Sequence, residues 1–284
     1  MELTDINEIR LLLDRHGFHF SKSLGQNFLT ASWVPERIAE SAQLDRDTAV
    51  LEIGPGIGCL TRELSLRAGK VVSIELDKAL KDVLKETLSA CDNVELVFSD
   101  ALKTDLKALV REKFGGLRPV VCANLPYNVT SPVLTRILEA GIFDSITVMI
   151  QKEVAERICA SPNTADYGAF TVFCQWYTTP SILFTVPPSC FIPQPKVTSS
   201  VIHMKKREAP PVEVNDEALM FKIVRAAFNQ RRKTFVNAVS SGLGFDKERL
   251  EKTLEKCGLN GRIRGETLSV AQFAQISDGI EQNF

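Results

Sequence analysis

The sequence is poor in the residues that build metal centres and thiol frameworks. It has only three histidines, His16, His19 and His203, and none stands at ligand spacing from acidic partners. Its seven cysteines, at positions 59, 91, 122, 159, 174, 190 and 257, contain no C-x-x-C pair. An odd number at irregular spacing, several inside apolar runs, reads as reduced and mostly buried thiols rather than a disulfide scaffold. No transition-metal site is expected. Long apolar runs are missing too: stretches such as residues 181–188 fall far short of the ~20 residues that cross a bilayer. Repeats and low-complexity tracts are absent. The opening Met1-Glu-Leu-Thr-Asp is acidic and does not resemble a basic-then-apolar leader, so the cytoplasm is the expected compartment.

What is present suits an ordinary globular protein. The 284 residues are 44% hydrophobic and 24% charged, enough for one large domain or a medium one with a small companion. The net charge of −1 hides an uneven distribution: from Lys205 onward 14 basic residues face 11 acidic ones, against 20 and 24 before it. Residues 218–245 hold Lys222, Arg225, Arg231, Arg232 and Lys233 and no acid. Such a window is either a phosphate-facing patch or a solvated helix face, and charge alone does not choose between them.

Patterning divides the chain. Residues 4–18 have helical spacing behind Thr4 and Asp5, and a polar, glycine-containing stretch follows at 20–29. From residue 48, continuous apolar runs at 49–53, 71–74, 94–98, 120–123 and 146–150 alternate with helical periodicity at 60–67, 79–88, 106–114 and 133–138. Strands alternating with helices predict βαβ units and a parallel sheet covered on both faces. Beyond 150 the rhythm changes. A helix is predicted over 151–158, a strand pair over 170–186, a proline-stiffened loop over 187–195 and a strand over 197–204. After a charged linker at 205–211, helices are predicted over 219–228, 234–240, 247–257 and 270–276.

Four strand-end features carry chemistry. First, Val50-Leu-Glu-Ile-Gly-Pro-Gly-Ile-Gly58 runs a strand into glycines 54, 56 and 58 and then a helix. A dinucleotide turn, G-x-G-x-x-G, would want its third glycine at 59, which is cysteine. The spacing found is that of enzymes binding S-adenosylmethionine, with a purely structural glycine turn as the alternative. Second, Glu75 ends the next strand 21 residues after Gly54, where a carboxylate can accept from two ribose hydroxyls, while Asp77 suits a helix N-cap. Third, Asp100 ends the strand after that, where it can accept from an adenine amine. Fourth, Asn124-Leu-Pro-Tyr127 follows the strand at 120–123. Asn/Asp-x-Pro-Tyr is the pattern of methyltransferases acting on exocyclic amines of nucleobases. Such an amine is conjugated into its ring and weakly nucleophilic. The Asn124 side-chain oxygen and the Leu125 carbonyl can accept from its two hydrogens and favour its pyramidal form, with Pro126 fixing that carbonyl and Tyr127 stacking on the base.

With these segments in order, the chain resembles the bacterial 16S ribosomal RNA adenine dimethyltransferase family, which modifies two adjacent adenosines near the 3′ end of small-subunit RNA. The match is carried by Lys22-Ser-Leu-Gly-Gln-Asn-Phe-Leu29, Leu51-Glu-Ile-Gly-Pro-Gly-Ile-Gly58, Asn124-Leu-Pro-Tyr-Asn-Val-Thr-Ser-Pro-Val133 and Gln151-Lys-Glu-Val-Ala-Glu-Arg157, then by Phe191-Ile-Pro-Gln-Pro-Lys-Val197 and Ala227-Phe-Asn-Gln-Arg-Arg-Lys-Thr234. The resemblance implies an α/β, Rossmann-like catalytic domain over residues 1–208 and a small all-helical RNA-binding domain over 209–284. It implies S-adenosylmethionine contacts at Asn27, Leu29, Gly54, Gly56, Glu75, Asp100 and Asn124, and catalytic positions at Asn124, Leu125, Pro126 and Tyr127. Phe191 joins these as a second stacking face or, alternatively, anchors its loop in the core. Lys22, Arg231, Arg232 and Lys233 are the expected RNA contacts. The implied partner is 16S rRNA, in the small subunit or its precursor, met by a monomer with no membrane attachment. Four rivals are weighed against this: a macrolide-resistance type enzyme acting on large-subunit RNA, a DNA adenine methyltransferase, a non-catalytic ribosome-assembly factor and an NAD oxidoreductase.

Overall fold

The computed structural model describes residues 1–20 and 25–281. Contacts divide the chain into two units, Met1–Ala155 with Ser181–Lys206, and Glu156–Pro180 with Arg207–Phe284.

The first unit begins with α1 (Ile6–Arg15), capped where Asp5 accepts from the backbone N–H groups of Asn7 and Glu8. A two-residue strand β1 (Phe28–Leu29) and helix α2 (Trp33–Ser41) lead into the alternating region. There β2 (Thr48–Ile53), α3 (Cys59–Arg67), β3 (Lys70–Glu75), α4 (Lys81–Thr87), β4 (Val94–Phe98), α5 (Leu106–Lys113), β5 (Arg118–Asn124), α6 (Thr130–Ala140) and β6 (Ser145–Gln151) follow one another. Helix α7 (Lys152–Ile158), helix α8 (Ala169–Tyr177), strand β7 (Thr178–Val186), the short β8 (Phe191–Ile192) and strand β9 (Ser199–Lys206) complete the middle of the chain.

Seven strands form one sheet in the order β4-β3-β2-β5-β6-β9-β7. The five strands from β2 to β6 run parallel, and β9 pairs antiparallel to β6. Every residue of β2 is buried, which is why its sequence is apolar from Ala49 onward apart from one acid, Glu52. The chain leaves β2 toward β3 on one side and returns to β5 on the other. That reversal opens a crevice at the carboxyl ends of β2 and β5, the place where open parallel sheets bind ligands. Away from the main sheet, β1 pairs antiparallel with β8, Leu29 opposite Phe191, tying the early polar segment to the proline loop.

The second unit is helical: α9 (Glu217–Asn229), α10 (Phe235–Leu243), α11 (Lys247–Lys256) and α12 (Val270–Glu281). Asp216, Thr234 and Asp246 cap the first three of these with side-chain oxygens. Two expectations change here. The strand pair predicted over 170–186 is a helix followed by a strand, because Val172, Cys174 and Trp176 are buried while Phe173 and Tyr177 pack beside them. A helix apolar nearly all round has no visible 3.6-residue period. The segment Glu156–Pro180, assigned by the expected 208/209 boundary to the catalytic domain, packs instead with the helical unit. It contributes Tyr167 and Trp176, both essentially inaccessible, to a core shared with Phe221, Phe235 and Phe273.

Because Trp176 meets Phe221 edge-on at 6.1 Å in that core, Trp176→Ala should destabilise the helical unit by about 3–5 kcal/mol. Chemical denaturation followed by tryptophan-independent circular dichroism reads the shift; an unchanged midpoint would remove Glu156–Pro180 from the core.

Candidate active site

The carboxyl ends of β2, β3, β4 and β5 converge on one pocket lined by Gly54, Gly56, Glu75, Asp100, Asn124, Leu125, Pro126 and Tyr127, with Asn27, Phe28 and Leu29 over them. Ten of the positions expected to bind cofactor or catalyse are therefore brought together. The glycine turn follows β2 directly. Gly56 has φ +59°, and a Cβ there would stand 3.2 Å from the Phe28 ring. Gly58, φ +91°, precedes α3 as its N-cap, and a Cβ would meet Leu88 at 3.0 Å. Both the left-handed backbone and the close approach demand glycine.

Acceptors dominate the polar lining. Glu75 is 6% exposed; burial pushes its carboxyl up, opposed by the backbone N–H groups of Asp77 and Gly56. The Asp77 N–H lies 2.8 Å from Glu75 Oε1 and orients it toward the pocket. Asp77 itself caps the turn after β3 by accepting from Ala79 N–H, and accepts from Gln26 Nε2 at 2.7 Å. Asp100 accepts from Leu102 N–H at 2.9 Å, with Lys103 Nζ 3.7 Å from its second oxygen. Asn27 donates from Nδ2 to the Gly25 carbonyl at 2.9 Å.

Sequence reasoning passed over Glu52. It is 1% exposed near the carboxyl end of β2, and it accepts from Thr61 Oγ1 on α3 at 2.7 Å and Ser73 Oγ on β3 at 2.6 Å. Burial raises its carboxyl to about 7, the two hydroxyls opposing and the neighbouring Glu75 charge reinforcing the shift. The signal was present as a lone acid in a continuously apolar strand. Three carboxylates thus line the pocket, and no Lys, Arg or His stands among its described lining residues. A ligand bearing pyrophosphate would meet like charge here.

The Asn124–Tyr127 turn is held from β6 and from the strand beyond it, β9. Leu125 N–H donates to the Met149 carbonyl of β6 at 3.1 Å, and the Tyr127 hydroxyl lies 2.6 Å from Ser199 Oγ on β9. Thr130 Oγ1 and Val129 N–H both donate to the Pro126 carbonyl. Burial raises the Tyr127 phenol, so it stays neutral. These bonds fix the backbone that follows Asn124, the Leu125–Pro126 peptide included, before any substrate arrives.

A family model described as ribosomal RNA adenine dimethylase matches residues 17–282. The chain belongs to that family. Among its relatives, the ribosomal RNA small subunit methyltransferase A of Clostridium acetobutylicum is 46% identical over 272 residues, 95% of this chain and 97% of that protein. The same-named protein of Geobacillus thermodenitrificans is 46% identical over 274 residues, 95% of this chain and 94% of the relative. Among solved structures, a dimethyladenosine transferase from Plasmodium falciparum superposes with a TM-score of 0.75 at 25% identity, covering 87% of this chain and 95% of that one. The 23S rRNA methyltransferase ErmE superposes at 0.69 and 28% identity, covering 90% and 100%. As a ribosomal RNA adenine dimethylase, the protein is an enzyme with the methyltransferase sheet.

Some expected site residues stand elsewhere. Phe191 is not among the pocket's lining residues: it is 3% exposed in a core with Leu29, Val34, Val186 and Val201, surroundings that favour the reading as a loop anchor. Lys22 lies outside the described residues. In the helical unit, the Arg231 guanidinium donates to the Ala165 and Tyr167 carbonyls at 2.8 and 2.9 Å and faces Glu266 at 3.9 Å. Arg231 therefore ties the segment after α7 to the α9–α10 turn. Arg232 and Lys233 are exposed and rim a polar hollow with Thr234, Asn237, Ser240, Ser241 and Lys247.

The raised carboxyl of Glu52 makes a stability prediction. Its proton is bound more tightly in the folded chain than at the ordinary value of 4.5, so the contribution is complete below 4.5 and lost as pH rises through about 7. Measured against Glu52→Gln, the wild type should lose roughly 3 kcal/mol across that window. Parallel pH–stability curves would show that Glu52 folds fully ionised.

Proposed function

We propose that this ribosomal RNA adenine dimethylase uses S-adenosylmethionine to dimethylate N6 of two adjacent adenosines near the 3′ end of 16S rRNA, in the small subunit or its precursor. The observation that carries this reading is the pre-set Asn124–Tyr127 turn at the mouth of an acidic pocket with no cation among its described lining residues. The pocket residues fit the cofactor: the glycine turn leaves backbone approach that a Cβ would fill, and the acceptors match a ligand rich in hydroxyl, amine and positive centres. Glu75 would take the ribose hydroxyls and Asp100 the adenine amine. Gly54 and Gly56 would pass the chain close to the ligand, with Asn27, Leu29 and Asn124 toward the methionine end. Bound there, S-adenosylmethionine supplies an electrophilic methyl group on a sulfonium.

The chain's own work is orientation. A target adenine must leave its stack to reach the pocket. Asn124 Oδ1 and the Leu125 carbonyl accept from its amine, which turns the nitrogen lone pair outward as the amine becomes pyramidal. Tyr127, held by Ser199, stacks on the base. Positive charge passes to the amine as it gains the methyl, and its proton then goes to water, so no strong base is needed beforehand. The small-subunit substrate is preferred because the relatives named for it are 46% identical, against 28% for the large-subunit enzyme. Arg232 and Lys233, with Lys222 and Arg225 exposed on α9, supply phosphate contacts. We place the enzyme in the cytoplasm as a monomer; among the described residues no helix is long and apolar enough to cross a membrane.

The direct test is transfer of labelled methyl groups to small-subunit RNA from a strain lacking the modification, with products mapped to N6-dimethyladenosine. Unmodified adenosines there, with modification of large-subunit RNA, would reassign the substrate. Asn124→Ala should lower kcat by roughly 10²–10³-fold with both ligands saturating, because its acceptor is used chiefly as the amine becomes pyramidal. Turnover near that of the wild type would leave the Leu125 carbonyl and stacking to do that work. Replacing Arg232 and Lys233 by alanine should weaken RNA binding and lower its log–log salt slope by up to about two, leaving cofactor affinity unchanged. The parental slope in the double variant would return these residues to a solvated face.

A further inference from the structure

Two carboxylates sit side by side at the base of the pocket, and neither has a cation among its hydrogen-bond partners. Glu75 takes backbone N–H groups and points into the space where a ligand sits. Glu52, one strand over and still more deeply buried, is satisfied by two neutral hydroxyls, Thr61 and Ser73. Hydroxyl donors serve a carboxylate and a carboxylic acid alike, since each hydroxyl can turn to donate or accept. Glu52 can therefore hold or release a proton without any rearrangement of α3 or β3.

The thiols that face it are pushed away from neutrality. Cys59 on α3 is pushed up to about 12 by burial, and Cys122 on β5 is raised well above the ordinary thiol value. The Arg62 guanidinium on α3 is occupied by the Thr87 and Met1 carbonyls. Glu75 on β3, whose own carboxyl burial also pushes up, is the acid beside it.

We propose that Glu52 makes this pocket select its ligand by charge: it gives up its proton to solvent when the sulfonium donor enters, and that coupling favours the donor over the thioether product, which carries one positive charge fewer. This rests on the S-adenosylmethionine reading above. A positive centre in a water-poor pocket favours an ionised carboxylate nearby and is itself held more tightly by it. The thioether left after transfer keeps its α-ammonium but has lost the sulfonium charge, so its binding gains less from ionising Glu52. The ionised carboxylate then takes back a proton as product leaves. Glu52 is thus a device for product release, acting through the field in the pocket.

Titration calorimetry of the full chain at pH 7, in phosphate and in Tris, counts protons exchanged as S-adenosylmethionine or S-adenosylhomocysteine binds. With about half the Glu52 carboxyls protonated at that pH, the wild type should release up to about 0.5 proton with S-adenosylmethionine beyond any release with the product. Glu52→Gln should abolish that difference and lower the preference for S-adenosylmethionine by roughly 3- to 10-fold. In the wild type alone, the ratio of the two affinities should rise with pH between 6 and 8, which tests the coupling even if the variant folds poorly. Equal release with both ligands, undiminished release in Glu52→Gln, or a pH-independent affinity ratio would each overturn the proposal. Binding of neither ligand would instead overturn the cofactor reading on which it rests.

Discussion

Strand β2 is the constraint on which the site depends. It is hydrogen-bonded to β3 on one side and β5 on the other, so its carboxyl end lies where the chain direction of successive crossovers reverses. Everything functional in the first unit is placed relative to that end. The glycine turn leaves from it, Glu75 comes from its left neighbour, and Asn124 comes from its right. The register is specified because β2 is buried on both faces, so a slip by one residue would carry Glu52 away from its two hydroxyls. Packing of the sheet and placement of the chemistry are thus the same fact.

The turn at Asn124–Tyr127 shows how rigidity is delivered to the reacting end. Its hydrogen bonds come from β6 through Met149 and from β9 through Ser199, two strands of opposite direction. The antiparallel addition of β9 brings a serine hydroxyl up to Tyr127. A purely parallel continuation would need a further crossover helix to put a strand in that place. The proline loop that precedes β9 is anchored by Phe191 in the core and by the β1–β8 pair, which also carries Leu29 over the pocket.

Strand-end residues were legible in the sequence because each sits just after a short apolar run in a regular alternation of strands and helices. The glycine turn, Glu75, Asp100 and Asn124 needed no tertiary knowledge. What escaped depended on contacts far away in the chain. The helix α8 looked like a strand because a core closes around it on nearly every side. Arg231 looked like its neighbours Arg232 and Lys233 until two carbonyls more than sixty residues away took its guanidinium. Phe191 offered two readings that only its surroundings could separate. Periodicity reports which face is buried, and says nothing of which distant partner buries it.

Glu52 carries the same lesson into energetics. A glutamine would accept and donate to the same two hydroxyls with no ionisation to suppress, and at neutral pH it would make the sheet more stable. A carboxyl at that place is costly by the linkage argument, since the folded chain must hold a proton that water would remove. Stabilities of small domains are only about 5–15 kcal/mol, so a penalty of a few is not negligible. The structure offers one return for it: a pocket that already contains Glu75 and Asp100 gains a third, adjustable negative charge on its wall. An acid held half-ionised responds to the charge of its neighbour, whereas a fully exposed one would be ionised regardless. The depth that weakens the fold is what makes the residue sensitive to whether the ligand beside it carries the sulfonium charge.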